Sequence, residues 1–261
     1  MAMSSVRRRV GSARVRAELL LDRSYPRLAR HYEFPDGSHR VYCHHIRKTA
    51  GTSLHNSFIA LGGEDPMTVQ HRMEASRMFR TKSGRYIFAT GHRIVLERGD
   101  YFYGWSHLPA HQVTLPPGTF TVTVLRDPVA RVVSFYKYLV AGDAPATPFN
   151  VAMWERRLAD DGFGAFLDRV PRRSLLAQLY TFSARYDVSE AADTLRACSF
   201  VLSTEAFDKG IEELGSRLAL PLLPRHERVT PTAQETSHPS EAELLRLREL
   251  LEPEYQLLAQ L

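Results

Sequence analysis

Short β-rich runs alternate with stretches of helical period along this chain. Phe120–Leu125 sets Val against Thr at every second position, the pattern of a half-buried strand. Arg40–Ile46, Tyr86–Thr90 and Phe200–Ser203 are the other β-rich runs. Helical patterns follow three of the four. Ser53–Leu61 places Leu54, Phe58 and Leu61 on one face and stops at Gly62-Gly63. Val129–Val140 aligns Val132, Phe135, Tyr136, Leu139 and Val140, with Asp127 suited to cap it and Pro128 to open it. Phe207–Leu218 follows the last strand. Such alternation predicts an α/β fold, a parallel sheet with helices on both faces. Residues 141–199 read as loop and short helices, 222–240 as loop, and Glu241–Leu261 as one amphipathic helix carrying Leu244, Leu245, Leu247, Leu250 and Leu251.

Composition narrows the class. With 261 residues and 44% hydrophobic content, the chain suits one large domain with a sizeable core. No apolar run approaches the ~18–20 residues of a membrane span. The formal charge of +5 is unevenly placed. Residues 1–30 hold eight Arg against two acids, while the remainder holds 26 Lys/Arg against 27 Asp/Glu. The reading is a basic arm over residues 1–35 and a near-neutral domain over 36–261. A solvated leader, contact with an anionic polymer or membrane, and an organelle transit peptide are the alternatives for the arm. Cys43 and Cys198 cannot build a disulfide framework or a four-thiolate zinc site. Both fit buried free thiols, which points to a reducing compartment.

The richest chemistry lies in His45–Leu54 (HIRKTAGTSL), a strand-to-helix turn. Such a turn offers free backbone N–H groups and the positive end of a helix dipole. Lys48 adds a mobile cation, Thr49, Thr52 and Ser53 add hydroxyl donors, and Gly51 allows close backbone approach. The group suits a phosphate or sulfate. It is not the nucleoside-triphosphate loop, because Lys48 precedes the glycine and no Gly-Lys-Ser/Thr occurs. A second stretch, Val124–Tyr138 (VLRDPVARVVSFYKY), places the planar fork of Arg126 at a strand end. Ser134 lies two helical turns on, about 80° around the axis, so both can face one ligand. Arg131 shares that side or pairs with Asp127.

The first stretch resembles the 5′-phosphosulfate loop of sulfotransferases that use 3′-phosphoadenylyl sulfate (PAPS). It is nearest the carbohydrate 2-O- and 4-O-sulfotransferase branch, whose loop reads H-x-P-K-T-[AG]-G-T-[ST]; Arg47 here replaces the proline. The second stretch resembles the 3′-phosphate motif of the same family, R-[DN]-P-x-x-R-x-x-S-x-[FY]. The resemblance covers residues 40–260 and implies a P-loop-like parallel sheet flanked by helices. It implies PAPS as donor, 3′,5′-adenosine bisphosphate as product and no obligatory metal. It assigns nucleotide contacts to Lys48, Thr49, Ala50, Gly51, Thr52, Ser53, Arg126 and Ser134. Ser174–Tyr180 and Arg225–Pro231 fall where the family completes that pocket, with Glu227 and Arg228 where an Asn is usual.

Sulfuryl transfer also needs a proton acceptor. His92, in Thr90-Gly91-His92 after the second strand, is the choice, since sheet ligands sit off the carboxyl ends of strands. The resemblance supports it: the 2-O branch carries a catalytic His after Gly here. Lys48 is the partner for charge on the leaving oxygen. His44 and Glu97 stand in reserve, and Pro109 argues against a helical metal site at His107 and His111. Tyr101, Phe102, Tyr103, Trp105 and His107 suit either a sugar face or a packed loop. The expected acceptor is a hydroxyl on a carbohydrate, glycolipid or small metabolite, with no nucleic acid and no membrane span. Ala-, Arg- and Leu-rich usage points to a bacterial cytoplasmic enzyme. An ATP-dependent phosphotransferase and a non-catalytic module binding nucleotide or anionic polymer are the competing readings.

Overall fold

The computed structural model describes residues 32–91, 93–141, 153–226 and 239–261. Six strands form one sheet: β1 (Arg40–His44), β2 (Met78–Arg80), β3 (Ile87–Thr90), β4 (Tyr103–Ser106), β5 (Thr119–Leu125) and β6 (Phe200–Ser203). Their order is β2-β3-β4-β1-β5-β6. All pairings are parallel except β2 with β3. The α/β expectation therefore holds, and all four strands read from the sequence are present. The first ends at His44, two residues short of the expected Ile46.

Alternation along the strands sorts the core onto two faces. Val41 and Cys43 of β1, Phe88 of β3 and Val122 and Val124 of β5 share one cluster. It receives Leu54 and Phe58 from α1 (Gly51–Ile59), Val69 and Met73 from α2 (Pro66–Ser76), and Ile211 and Leu214 from α10 (Phe207–Leu218). On the other side Tyr42, Ile87 and Ala89 pack with Val95 and Leu96 of α3 (Arg93–Arg98). A third cluster joins α4 (Pro128–Val140) to the helical region. That region comprises α5 (Met153–Arg156), α6 (Gly162–Arg169), α7 (Arg172–Leu175), α8 (Ala177–Phe182) and α9 (Val188–Arg196). Phe34 is buried in the first cluster and Tyr32 packs against it, so the folded part begins ahead of residue 36.

Two expectations change. Residues 103–106 form a central strand, not a loop. The ring of Tyr103 stacks on Phe58 at 4.0 Å and that of Trp105 on His55 at 4.3 Å. The carboxyl-terminal helix is two helices, α11 (Glu241–Leu250) and α12 (Glu252–Leu258). Pro253 in the first turn of α12 cannot continue an earlier helix, and Leu251 becomes a buried corner. The capping box at Ser240 and Glu243 marks the start of α11. The basic arm lies outside the described residues, as do 227–238 with Glu227 and Arg228. Among the described residues no helix is long and apolar enough to cross a membrane.

Candidate active site

Parallel pairing sends the carboxyl ends of β3, β4, β1 and β5 to one edge of the sheet. β1 lies between β4 and β5, so the chain leaves it in opposite directions and opens a crevice there, the place where such sheets take ligands. A cavity of about 600 Å³ occupies this edge. Lys48, Ala50, Gly51, Thr52, Ser53, Arg126 and Ser134 all line it. Both sequence stretches thus meet in one site, although 78 residues separate Lys48 from Arg126.

The turn from β1 into α1 is unusual in its backbone. Lys48 has φ 71° and Ala50 φ 58°, both left-handed, and no side chain caps α1. Left-handed non-glycine residues cost free energy and cluster where a loop must aim its amides at a ligand. The first turn of α1 carries no acid, leaving its positive end uncompensated. Arg126 Nη1 donates to the Lys48 carbonyl at 3.1 Å, tying the two anchors together. Lys48 Nζ lies 4.5 Å from the ring centroid of Tyr138, one turn beyond Ser134. Burial pushes the Arg126 pKa down, opposed by Glu205 and Asp127. Thr49 does not line the cavity: it is buried, and its hydroxyl donates to the Ile46 carbonyl at 3.0 Å, closing the turn.

The glycine at 51 has a local cause. A Cβ built there would stand 2.1 Å from both Cδ2 and Nε2 of His45. His45 in turn shares a hydrogen bond with His55 (Nδ1 to Nε2, 2.9 Å), and His55 Nδ1 meets the Tyr103 hydroxyl at 2.7 Å. This line of rings occupies the floor under the turn. Gly51→Ala is expected to displace His45 and cost roughly 1–3 kcal/mol, the range for overpacking. Urea unfolding checks it, and the double variant with His45→Ala should recover most of the loss.

Burial holds the pKa values of His45 and His55 well below the histidine range, and His107 adds to the effect on both. His107 donates from Nδ1 to the His45 carbonyl at 2.8 Å, because a carbonyl can only accept, and this leaves Nε2 as an acceptor. Desolvation by the surrounding groups pushes its pKa down to about 4, although part of the residue stays exposed to solvent. A second cavity of about 290 Å³ adjoins the first and shares His45, Arg47, His107 and Glu155 with it. Arg47 makes an ion pair with Glu155 at 2.6 Å and lies over the Phe135 ring.

His92 lies outside the described residues; Thr90 and Gly91 before it line the cavity. The reserve histidine, His44, is buried between Tyr42 and Phe182, and burial lowers its pKa to about 4. Glu97 is bound to Arg93 and the Thr114 amide and does not line the cavity. His111 packs on Tyr180, apart from His107.

Asp127 caps α4 through the Ala130 amide at 2.7 Å, as its position suggested. Arg131 does not pair with Asp127. It is buried, donates to the carbonyls of Ser174 and Leu175, and lies 3.8 Å from Glu254 of α12. Glu254 accepts from the Gln178 and Leu179 amides and from Gln178 Nε2. Gln178 exchanges two hydrogen bonds with the backbone of Arg126, at 2.8 and 3.0 Å. This buried brace fixes the direction of Arg126. Arg77, Gln70 and Trp105 also face the main cavity; of the three the sequence singles out Trp105 alone, in its aromatic cluster.

A family model described as the sulfotransferase family matches residues 32–162, half of the chain. The chain belongs to the sulfotransferase family. The match runs from the residues before β1 to the start of α6 and contains both stretches that line the cavity. Comparison with curated proteins gives no match. In this sulfotransferase the matched segment thus carries β1 to β5 and the Lys48 turn, Arg126 and Ser134 that line the cavity.

Proposed function

We propose that this sulfotransferase moves a sulfuryl group from PAPS to a hydroxyl, nearest in kind to the carbohydrate 2-O- and 4-O-enzymes. The observation that carries the reading is the convergence of the Lys48 turn with Arg126 and Ser134 on one cavity. Amides of the 48–53 turn hold the 5′-phosphate, and Arg126 with Ser134 holds the 3′-phosphate. An acceptor oxygen attacks sulfur, the bond from sulfur to the bridging oxygen breaks, and its electron pair stays on the departing phosphate. Lys48 offsets that charge. A histidine takes the hydroxyl proton, and His92 is the residue assigned to it. No step requires a metal ion. Free Cys43 and Cys198 accord with a reducing, cytoplasmic setting.

The test is calorimetric titration with 3′,5′-adenosine bisphosphate and, in parallel, ATP with Mg²⁺. Micromolar binding of the bisphosphate is expected, lost in Arg126→Ala, with ATP inert. His92→Ala should keep that binding and lower turnover on the order of a hundredfold. Folded protein that ignores the bisphosphate, or prefers ATP with Mg²⁺, would sink the reading.

A further inference from the structure

A chain of polar contacts leads from the core to the Lys48 turn. It starts at Tyr103, buried in β4, whose hydroxyl lies 2.7 Å from His55 Nδ1. His55 is buried in α1, and its Nε2 lies 2.9 Å from His45 Nδ1. His45 follows β1, is half-buried and lines the main cavity. The ring edge that carries Cδ2 and Nε2 lies against Gly51, the first residue of α1. His107 steadies this ring. Its own ring packs on it at 4.3 Å, and its Nδ1 holds the His45 carbonyl.

His45 Nδ1 is thus engaged, while Nε2 has no hydrogen-bond partner among the described residues. Burial keeps His45 and His55 neutral, so each carries one N–H and one lone pair. The chain then has two possible directions. In one, the Tyr103 hydroxyl donates to His55 Nδ1, His55 Nε2–H donates to His45 Nδ1, and His45 presents N–H at Nε2. In the other, both donations reverse and Nε2 presents a lone pair. A phosphate oxygen without a proton only accepts, so an anion seated on the turn selects the first direction.

We propose that His45 donates from Nε2 to the 5′-phosphate end of the donor, and that His55 and Tyr103 are positioning residues that keep its proton on Nε2. The inference rests on the PAPS reading of the same cleft. His45 adds a directed hydrogen bond to the turn without adding a charge to those of Lys48 and Arg126. His55 lies one helical turn from Gly51, so the chain also ties the helix that offers its amides to the strand that leads into the turn. The donor group therefore meets the anion already oriented.

The experiment titrates wild type, His45→Phe and His45→Gln with 3′,5′-adenosine bisphosphate and with adenosine 3′-monophosphate, which lacks the group held at the turn. His45→Phe should weaken the bisphosphate about tenfold, the size of one hydrogen bond to a charged group, and leave the monophosphate unchanged. His45→Gln returns a neutral N–H near the place of Nε2 and should recover most of that loss. Three results overturn the assignment: a loss shared equally by both ligands, no loss, or glutamine no better than phenylalanine. Nitrogen NMR of histidine-labelled wild type needs no altered protein to fold. With bisphosphate bound, His45 is expected with its proton on Nε2, and a lone pair there would overturn the proposal. Tyr103→Phe should mix the two tautomers of His55; a single unchanged tautomer would remove Tyr103 from its positioning role. Absence of bisphosphate binding in wild type would instead place the failure on the donor reading.

Discussion

Lys48→Ala is expected to lower turnover about a thousandfold while the protein stays folded. The two effects separate because of how Lys48 is built into the turn. Its backbone holds φ 71°, and alanine carries the same Cβ, so the exchange adds no backbone strain. The carbonyl that accepts from Arg126 is retained. Only the cation beside the Tyr138 ring is removed. In a recessed cleft a single donor aimed at developing charge is worth about 10²–10³ in rate. Bisphosphate affinity should fall less, about tenfold, because the turn amides and Arg126 remain. Lys48→Arg should not restore the rate, since a planar fork cannot place a point charge on the bridging oxygen. Steady-state turnover of labelled PAPS with a matched thermal melt decides the matter. Turnover within tenfold of wild type would remove Lys48 from the chemistry.

Glu254→Ala should destabilise the fold by about 3–5 kcal/mol, the cost of stranding a buried charge. Glu254 is fully buried and faces Arg131, which is 1% exposed. Burial already pushes the Arg131 pKa down, and Glu254 is the main opposing influence. Without it Arg131 keeps two carbonyls but loses its counter-charge. The paired replacement Arg131→Met with Glu254→Met removes both charges and should lie closer to wild type than either single change. Urea unfolding at neutral pH, analysed as a double-variant cycle, reads these differences. A loss below about 1 kcal/mol for Glu254→Ala would show that the pair contributes little. The same change loosens Gln178 and hence Arg126, so bisphosphate affinity should fall with stability. α12 thus acts on the Arg126 end of the cleft, although it lies more than a hundred residues from either Lys48 or Arg126.

Much of this site was legible from local sequence. The Lys48 turn and the Arg126–Ser134 helix each hold their chemistry within about ten residues, as strand–turn–helix units whose geometry follows from hydrogen-bond rules and helical period. Both proved to line one cavity. The α/β class followed from the alternation of strand and helix patterns for the same reason. β4 escaped because Tyr103-Gly104-Trp105-Ser106 is buried on both faces, so no polar–apolar alternation marks it. β2 escaped because three residues carry no period. Gly51 lines the cavity, and the structure adds a packing reason for a glycine there that the sequence did not show, the His45 ring against it.

Other features have no local signature at all. Arg131 looked free to pair with Asp127, its neighbour in the helix, until α12 brought Glu254 beside it. Gln178 joins Arg126 to Glu254 across separations of 52 and 76 residues. Gln70, Arg77 and Trp105 come from α2, the residue after it and a central strand, and only the sheet order sets them along one edge. Motif chemistry is a matter of neighbouring backbone and could be read in one dimension. The supports of Arg126 and the β3–β4 side of the cleft depend on which strands lie side by side, and that is settled by packing.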